Sequence, residues 1–286
     1  MVTTLKLSEL TNRKRRNDEE EGNGSSEESE IDISSTDSEN EEATGKDIEI
    51  DDKEEIVNID FDFYNGNPNV DFHALKNLSR QLFGPQESNR IQLSALADLM
   101  LASPMTTIKT DGPESDPYCF LSFIDYKDNK SSDYAKYLMK VDPRLATFLQ
   151  TLDNTGDKRC ALVMSERLIN MPPEVVPPLY KITLDDVSQS LGNGENYDFY
   201  IIVSRKYEVN FDTDEDLTKS TVDRSKKRVK NDEIDYFHEE DRFFEKHAKI
   251  HFQSDAKKGI ISSYMIMTHD GLIKAINELE QEIASW

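Results

Sequence analysis

Basic residues are the minority in this 286-residue chain, where 34 Lys and Arg stand against 57 Asp and Glu and leave a formal net charge of −23. A phosphate backbone repels such a chain, so we expect no direct nucleic-acid partner, and a basic protein is the natural complement. Apolar runs long enough to span a membrane are also missing, and the N-terminus lacks the apolar core of a signal peptide. We therefore expect a cytosolic or nuclear protein without a membrane partner.

Cysteine is scarce, which bears on the cellular compartment. Cys119 and Cys160 are the only two in the chain, and each lies in an apolar run typical of a strand. Two buried thiols indicate neither a disulfide framework nor a metal site, as expected for a protein of a reducing compartment.

Motifs for catalysis and metal binding are missing as well. The chain has no P-loop, and Ser165-Glu166 lacks the flanking glycines of a nucleophile elbow. His247 and His251 lack the Glu of H-E-x-x-H, and we predict for them a strand, in which residues four apart are too distant to share one ion. The other histidines are isolated and are predicted to be surface or structural residues: His73, His238 and His269. We therefore expect no catalytic residue, cofactor or metal.

Residues 1–55 are predicted to form a disordered acidic tail. Between residues 18 and 55 there are 18 acids, two bases and no aromatic residue, so burial cannot offset the entropy cost of ordering. A run of four cations near the start matches a nuclear import signal, with a solvated charge run as the alternative: Arg13, Lys14, Arg15 and Arg16.

Five hydroxyl residues of the tail each have an acid three positions downstream, which is the pattern that an acid-directed kinase recognises. These possible phosphorylation sites are Ser25, Ser29, Ser34, Thr36 and Ser38. Phosphate would deepen the negative charge of the tail and let it shield a cationic client. The alternative is a plain acidic spacer.

Residues 56–286 are predicted to form a single α/β domain. The predicted helices span about residues 71–83, 88–102, 142–156, 174–191 and 270–283. The predicted strands span about residues 56–63, 105–110, 118–126, 160–164, 198–209, 243–252 and 262–267. Residues 134–141 fit either a strand or a helix, and residues 210–235 form a polar insertion. Because helices between strands need crossovers, we predict a mixed central sheet with helices on both faces.

The stretch from Arg159 to Tyr180 carries the central strand–helix unit. Cys160–Met164 is a continuous apolar run typical of a strand buried on both faces. Two prolines then open a helix where backbone donors are unpaired anyway. The polar residues between strand and helix are predicted either to bind backbone and form a structural corner or to serve as a partner surface: Ser165, Glu166, Arg167 and Asn170.

Four leucines of the second predicted helix also match the spacing of a nuclear export signal: Leu93, Leu96, Leu99 and Leu101. The same spacing is typical of the core-facing side of an amphipathic helix, so the pattern leaves both interpretations open.

Three separated segments resemble the BCCIP family of eukaryotic nuclear proteins, in the form found in fungi. Residues 162–173 read Leu-Val-Met-Ser-Glu-Arg-Leu-Ile-Asn-Met-Pro-Pro and resemble the family signature. Glu55–Tyr64 and Glu239–Phe252 support the resemblance in the same order along the chain. The resemblance covers residue 55 to the C-terminus, and it implies a fold like that of GNAT acetyltransferases.

The resemblance also implies a function. Proteins of this kind act as non-catalytic nuclear escorts that chaperone a basic ribosomal protein of the large subunit, and they support nuclear export of a phosphoinositide kinase and ribosome biogenesis. We therefore expect a monomer that shuttles between nucleus and cytoplasm and engages nuclear transport receptors. A cell-cycle or DNA-repair scaffold, which the resemblance implies for animal members, is an alternative that these residues do not separate.

A GNAT-type acyltransferase is the other alternative, because the implied fold hosts such enzymes. Its cofactor is held by backbone donors of a Q/R-x-x-G-x-G/A loop that enters a helix. Residues 189–194 match that spacing, but they follow a predicted helix and precede a strand. The match is better explained by Gly192 ending the helix, and fold alone does not imply activity.

Overall fold

A computed structural model of the chain describes residues 59–192, 194–209 and 233–286. The strands within them are β1 Asp62–Asn65, β2 Met105–Lys109, β3 Cys119–Asp125, β4 Cys160–Arg167, β5 Phe199–Val209, β6 Glu233–Tyr236, β7 Ile250–Gln253 and β8 Ile260–Thr268. The helices are α1 Phe72–Glu87, α2 Leu93–Leu101, α3 Tyr126–Asn129, α4 Asp133–Val141, α5 Pro143–Thr155, α6 Val176–Leu191, α7 Asp241–His247 and α8 His269–Ile283. Short 3-10 turns precede α2 and α6.

The strands form one sheet in the order β1-β2-β3-β4-β5-β8-β7, and β6 pairs with β5. Only β4 and β5 run parallel; the other described pairs are antiparallel. Helices α6, α7 and α8 supply apolar side chains to a core on one face, and α1, α2, α4 and α5 supply them to a core on the other. The predicted mixed sheet with helices on both faces is confirmed.

Helix α5 shows how local signals set an element's ends. The Asp142 carboxylate accepts the backbone N–H of Arg144, and Pro143 is the first helical residue. Gly156 ends the helix at φ 67°, a left-handed conformation that costs glycine little. Both predicted ends of this helix are confirmed.

Several predicted boundaries differ from the structure. The strand predicted over residues 243–252 is wrong for its first part, where α7 occupies Asp241–His247, and is confirmed only from Ile250, where β7 begins and pairs with β8. Residues 134–141 belong to α4, whose cap Ser132 accepts the backbone N–H of Ala135. Of the strand predicted over residues 56–63, residues 56–58 lie outside the described residues, and β1 begins at Asp62, where it pairs with β2. Helix α1 is interrupted at the predicted Gly84-Pro85 stop, where Gly84 has φ 70° and ψ 173°, and then continues to Glu87.

Several sequence motifs can be placed directly. Cys119 and Cys160 are free and buried, as predicted, and burial raises the pKa of both thiols. Residues 189–191 end α6, and Gly192 follows at φ 86°. Along α2, Leu93 and Leu96 are buried in the core and the other two leucines are partly buried. An export receptor would therefore have to unpack this helix to read it.

Other predictions fall outside the described residues. These are the tail with Arg13, Lys14, Arg15 and Arg16, the five phosphorylation candidates, and most of the polar insertion. Among the helices that are described, none combines the length and apolar character needed to cross a membrane.

Candidate functional site

The central parallel strands separate part of the way along their length. β4 and β5 pair only from Cys160–Val163 with Phe199–Ile202. Further along, at Lys206–Val209, strand β6 pairs with the edge of β5 that β4 has left. The opposite edge of β5 is paired with β8. The space between the diverging halves of β4 and β5 is called the wedge below.

Charged side chains fill this wedge. Glu166, which is 1% exposed, accepts hydrogen bonds on Oε1 from Arg205 Nη2 at 3.2 Å and from Gln81 Nε2 at 3.1 Å. His238 Nε2 lies 2.6 Å from the same oxygen. The Arg205 guanidinium also donates to the Gln81 carbonyl at 2.7 Å and lies over the Phe237 ring. A buried carboxylate needs such partners, and these contacts join β4, β5, α1 and the chain after β6.

Arg167 makes the matching contacts on the opposite face of the sheet. Its Nε and Nη2 donate to the two carboxylate oxygens of Glu240 at 2.8 and 2.9 Å, and its Nη1 donates to the carbonyl of Met171 at 2.6 Å. Burial acts to raise the pKa of Glu240, but the hydrogen bonds and charge of Arg167 outweigh it and lower that pKa. This bidentate pair is therefore ionised and geometrically specific.

Asp241 completes the charged cluster, which we define as Glu166, Arg167, Arg205, His238, Glu240 and Asp241. Burial, and then the nearby charges of Glu240 and Glu166, raise the pKa of Asp241 well above its usual range. The cavity beside the cluster measures about 20 Å³, which is room for one water molecule. The cluster is thus a packed internal network, and a substrate-sized molecule does not fit beside it.

Because the pKa of Asp241 is raised, we predict that Asp241→Asn increases the stability of the fold by an amount that depends on pH. A carboxyl group whose pKa is raised on folding stabilises the fold fully below its unfolded pKa of about 3.9, and that contribution is lost as the pH rises through the folded pKa. Urea unfolding should therefore show the variant more stable than the wild type by about 1–3 kcal/mol near pH 8, with a smaller difference near pH 4.5.

The control for this comparison is Asp270→Asn, an exposed first-turn aspartate of α8. It should change the free energy of unfolding by less than about 0.5 kcal/mol. A destabilised Asp241→Asn protein at both pH values would contradict the account of Asp241.

The predicted site residues fall into two groups. Glu166 and Arg167 continue strand β4 and are 1% and 5% exposed, so a docked protein cannot reach their charges. Arg167 Nη1 donates to the backbone carbonyl of Met171 in the turn that follows β4. Ser165 is half-buried and Asn170 is exposed. Asn170 does not cap a helix, because the 3-10 turn before α6 begins after Pro172.

Four members of the charged cluster were missed by the sequence reasoning: Arg205, His238, Glu240 and Asp241. A signal was present, since one of the segments used for the family resemblance contains Glu240 and Asp241. An arginine in the middle of the apolar β5 run was a second signal, because a buried charge needs a partner. His247 and His251 do not share a strand; His247 contacts Glu278 and His251 contacts Ser263 and Glu245.

In the part of the chain that the structure describes, no three His, Cys, Asp or Glu residues are grouped to hold a metal ion.

Comparison with known protein families shows the class to which the chain belongs. A model of the BCCIP family matches residues 56–244, and the chain belongs to that family.

Two fungal proteins are similar to the chain over its whole length. Protein BCP1 of Saccharomyces cerevisiae is 71% identical over 291 residues, and Protein BCP1 of Candida glabrata is 68% identical over 287 residues, each alignment covering 100% of both chains. The crystal structure of BCP1 from Saccharomyces cerevisiae is similar with a TM-score of 0.71 at 66% identity, covering 85% of this chain and 96% of that one. None of these names carries an enzymatic designation.

Proposed function

We propose that this chain is a non-catalytic nuclear escort that binds a basic ribosomal protein of the large subunit and so supports ribosome biogenesis. The observation that carries the proposal is the excess of acidic over basic residues in both parts of the chain. Residues 1–55 have a net charge of −12, and residues 56–286 have a net charge of −11.

Charge of this sign suits such a client. A ribosomal protein exposes a basic RNA-binding surface before assembly, and an acidic escort covers that surface and keeps other polyanions away. Opposite net charges also speed the diffusional encounter and select against acidic partners. The buried ion pairs Arg167–Glu240 and Arg205–Glu166 neutralise each other inside the wedge, so they are not part of the charge that faces a client.

The wider role belongs to the same proposal. A monomer that shuttles between nucleus and cytoplasm would engage nuclear transport receptors through Arg13–Arg16 and would support export of a phosphoinositide kinase. Support for these points is the membership in the BCCIP family together with the cation run in the tail.

The acyltransferase alternative is weaker, although the divergence of two parallel central strands resembles the place where GNAT enzymes take their thioester cofactor. Here the charged cluster occupies that place. A cofactor could enter only by separating the ion pairs Arg167–Glu240 and Glu166–Arg205, which would leave buried charges without partners. Gly192 also ends helix α6, whereas a phosphate-binding loop leads into the start of a helix.

Affinity purification from nuclear extract with mass spectrometry tests the proposed function. The full-length chain should retain basic proteins, with ribosomal proteins of the large subunit enriched over those of the small subunit. Bait proteins of similar size and net charge but unrelated fold are the control, because they report capture by charge alone. An enrichment of neutral or acidic partners would contradict the escort function.

A further inference from the structure

We propose that the corner, defined as residues 168–171, is the apolar anchor of the client-binding surface, with Ile169 entering an apolar pocket on a basic protein whose cations face the neighbouring acidic loop. The acidic loop is residues 111–117 between β2 and β3. This inference rests on the proposed function, and it names the face of the molecule that does the binding.

The first observation is the exposure of the Ile169 side chain. Its side chain is 68% exposed, the highest value among the large hydrophobic residues that the structure describes. A single exposed apolar residue is ordinary on a protein surface, so exposure alone would carry nothing. What distinguishes Ile169 is the rigidity of the backbone that presents it.

The corner is held on both sides of Ile169. The Leu168 N–H donates to the carbonyl of Tyr118 at 3.0 Å, and the Met171 N–H donates to the carbonyl of Leu168 at 3.0 Å. Arg167 donates to the Met171 carbonyl and, through its other nitrogens, to the Glu240 carboxylate. The Met171 side chain is buried. Because the backbone on both sides of Ile169 is already held, binding costs little backbone entropy, which preserves the affinity that burial of the side chain provides.

The acidic loop supplies the second observation, charge of one sign beside the anchor. The loop leads directly into Tyr118, whose carbonyl holds Leu168. Three of its residues are exposed acids, Asp111, Glu114 and Asp116, and the stretch from 110 to 118 contains no base. An apolar anchor beside exposed carboxylates suits a basic protein surface that carries one apolar depression.

The acidic loop is also held in place from below. Lys109 Nζ donates to the Pro113 carbonyl at 2.5 Å and lies 2.7 Å from Asp71 Oδ1, with both of these side chains 0% exposed. Ser115 bonds the Gly112 carbonyl through its own N–H and hydroxyl. The buried lysine therefore fixes the loop backbone without cancelling the exposed carboxylates by direct pairing.

The test compares Ile169→Ser with Ile234→Ser, a matched change at a 46% exposed isoleucine on strand β6. The probe is the mixture of proteins extracted from purified large ribosomal subunits, applied to the immobilised full-length chain. Ile169→Ser should retain its main bound protein about tenfold more weakly than the wild type, whereas Ile234→Ser should match the wild type. Circular dichroism confirms that each variant is folded.

A photo-reactive p-benzoylphenylalanine in place of Ile169, and separately of Ile234, gives a second readout that does not depend on affinity. Crosslinks from position 169 and not from position 234 support the inference. Asp111→Asn, Glu114→Gln and Asp116→Asn together should weaken binding and make it less sensitive to salt.

The possible results separate the inference from the function beneath it. One result would be that the wild type retains a large-subunit protein, that Ile169→Ser binds it equally well, and that position 169 gives no crosslink. This result would show that the corner is not the anchor, but it would not contradict the escort function. Failure of the wild type to retain any large-subunit protein overturns both.

Discussion

Arg167→Ala is expected to lower the free energy of unfolding by about 3–5 kcal/mol, since removing one partner of a buried ion pair leaves the other charge uncompensated. The stranded group is Glu240, whose carboxylate receives two hydrogen bonds from Arg167. The Met171 carbonyl also loses its donor, so the corner loosens together with the start of α7. Urea unfolding followed by far-UV circular dichroism measures the loss as a lower midpoint at unchanged slope.

Two further variants make this measurement specific. Arg242→Ala removes an arginine from α7, the helix that Glu240 precedes, but its partner Glu239 is exposed, and the expected cost is below about 1 kcal/mol. Arg167→Met combined with Glu240→Leu removes both charges, so the double variant should regain most of the stability. Equal costs for Arg167→Ala and Arg242→Ala would show that the Arg167–Glu240 pair does not organise the wedge.

Elements with local signals were predictable from the sequence. Helix α5 carries its cap, its first-turn proline and its terminal glycine within one short stretch, so its ends follow from local chemistry. The apolar run through Phe243 and Phe244 carries no such signal, because a short run fits a strand and a buried helix equally well. Tertiary packing decided it: both rings enter the core formed with α6 and α8.

The candidate site was predictable only in part. The polar residues at the end of the apolar β4 run marked Glu166 and Arg167 as unusual. Their burial was not predictable, because their partners lie 39 and 73 residues further along the chain, at Arg205 and Glu240. The exposure of Ile169 was likewise hidden, since an isoleucine beside a buried strand is expected to point into the core.

Binding to a basic client should weaken by about 100-fold between low and high salt, which is the second large effect. Electrostatic steering accounts for association rates two or more orders of magnitude above those of neutral pairs, and salt removes it. The screening length falls from about 10 Å at 0.1 M to about 3 Å at 1 M, so exposed carboxylates such as those of the acidic loop lose their reach. Buried pairs in the wedge are screened far less, and the fold should persist at the salt concentrations that release the client.

The salt titration of this complex is the most direct test of the claim that the chain acts by presenting negative charge and a shaped surface to a basic protein. The dissociation constant of the full-length chain and a purified large-subunit ribosomal protein is measured from about 0.05 M to about 0.5 M salt, with circular dichroism at each step. We predict a steep loss of affinity, due mostly to a slower association rate, in a chain that stays folded. An affinity that does not change across this range would contradict it.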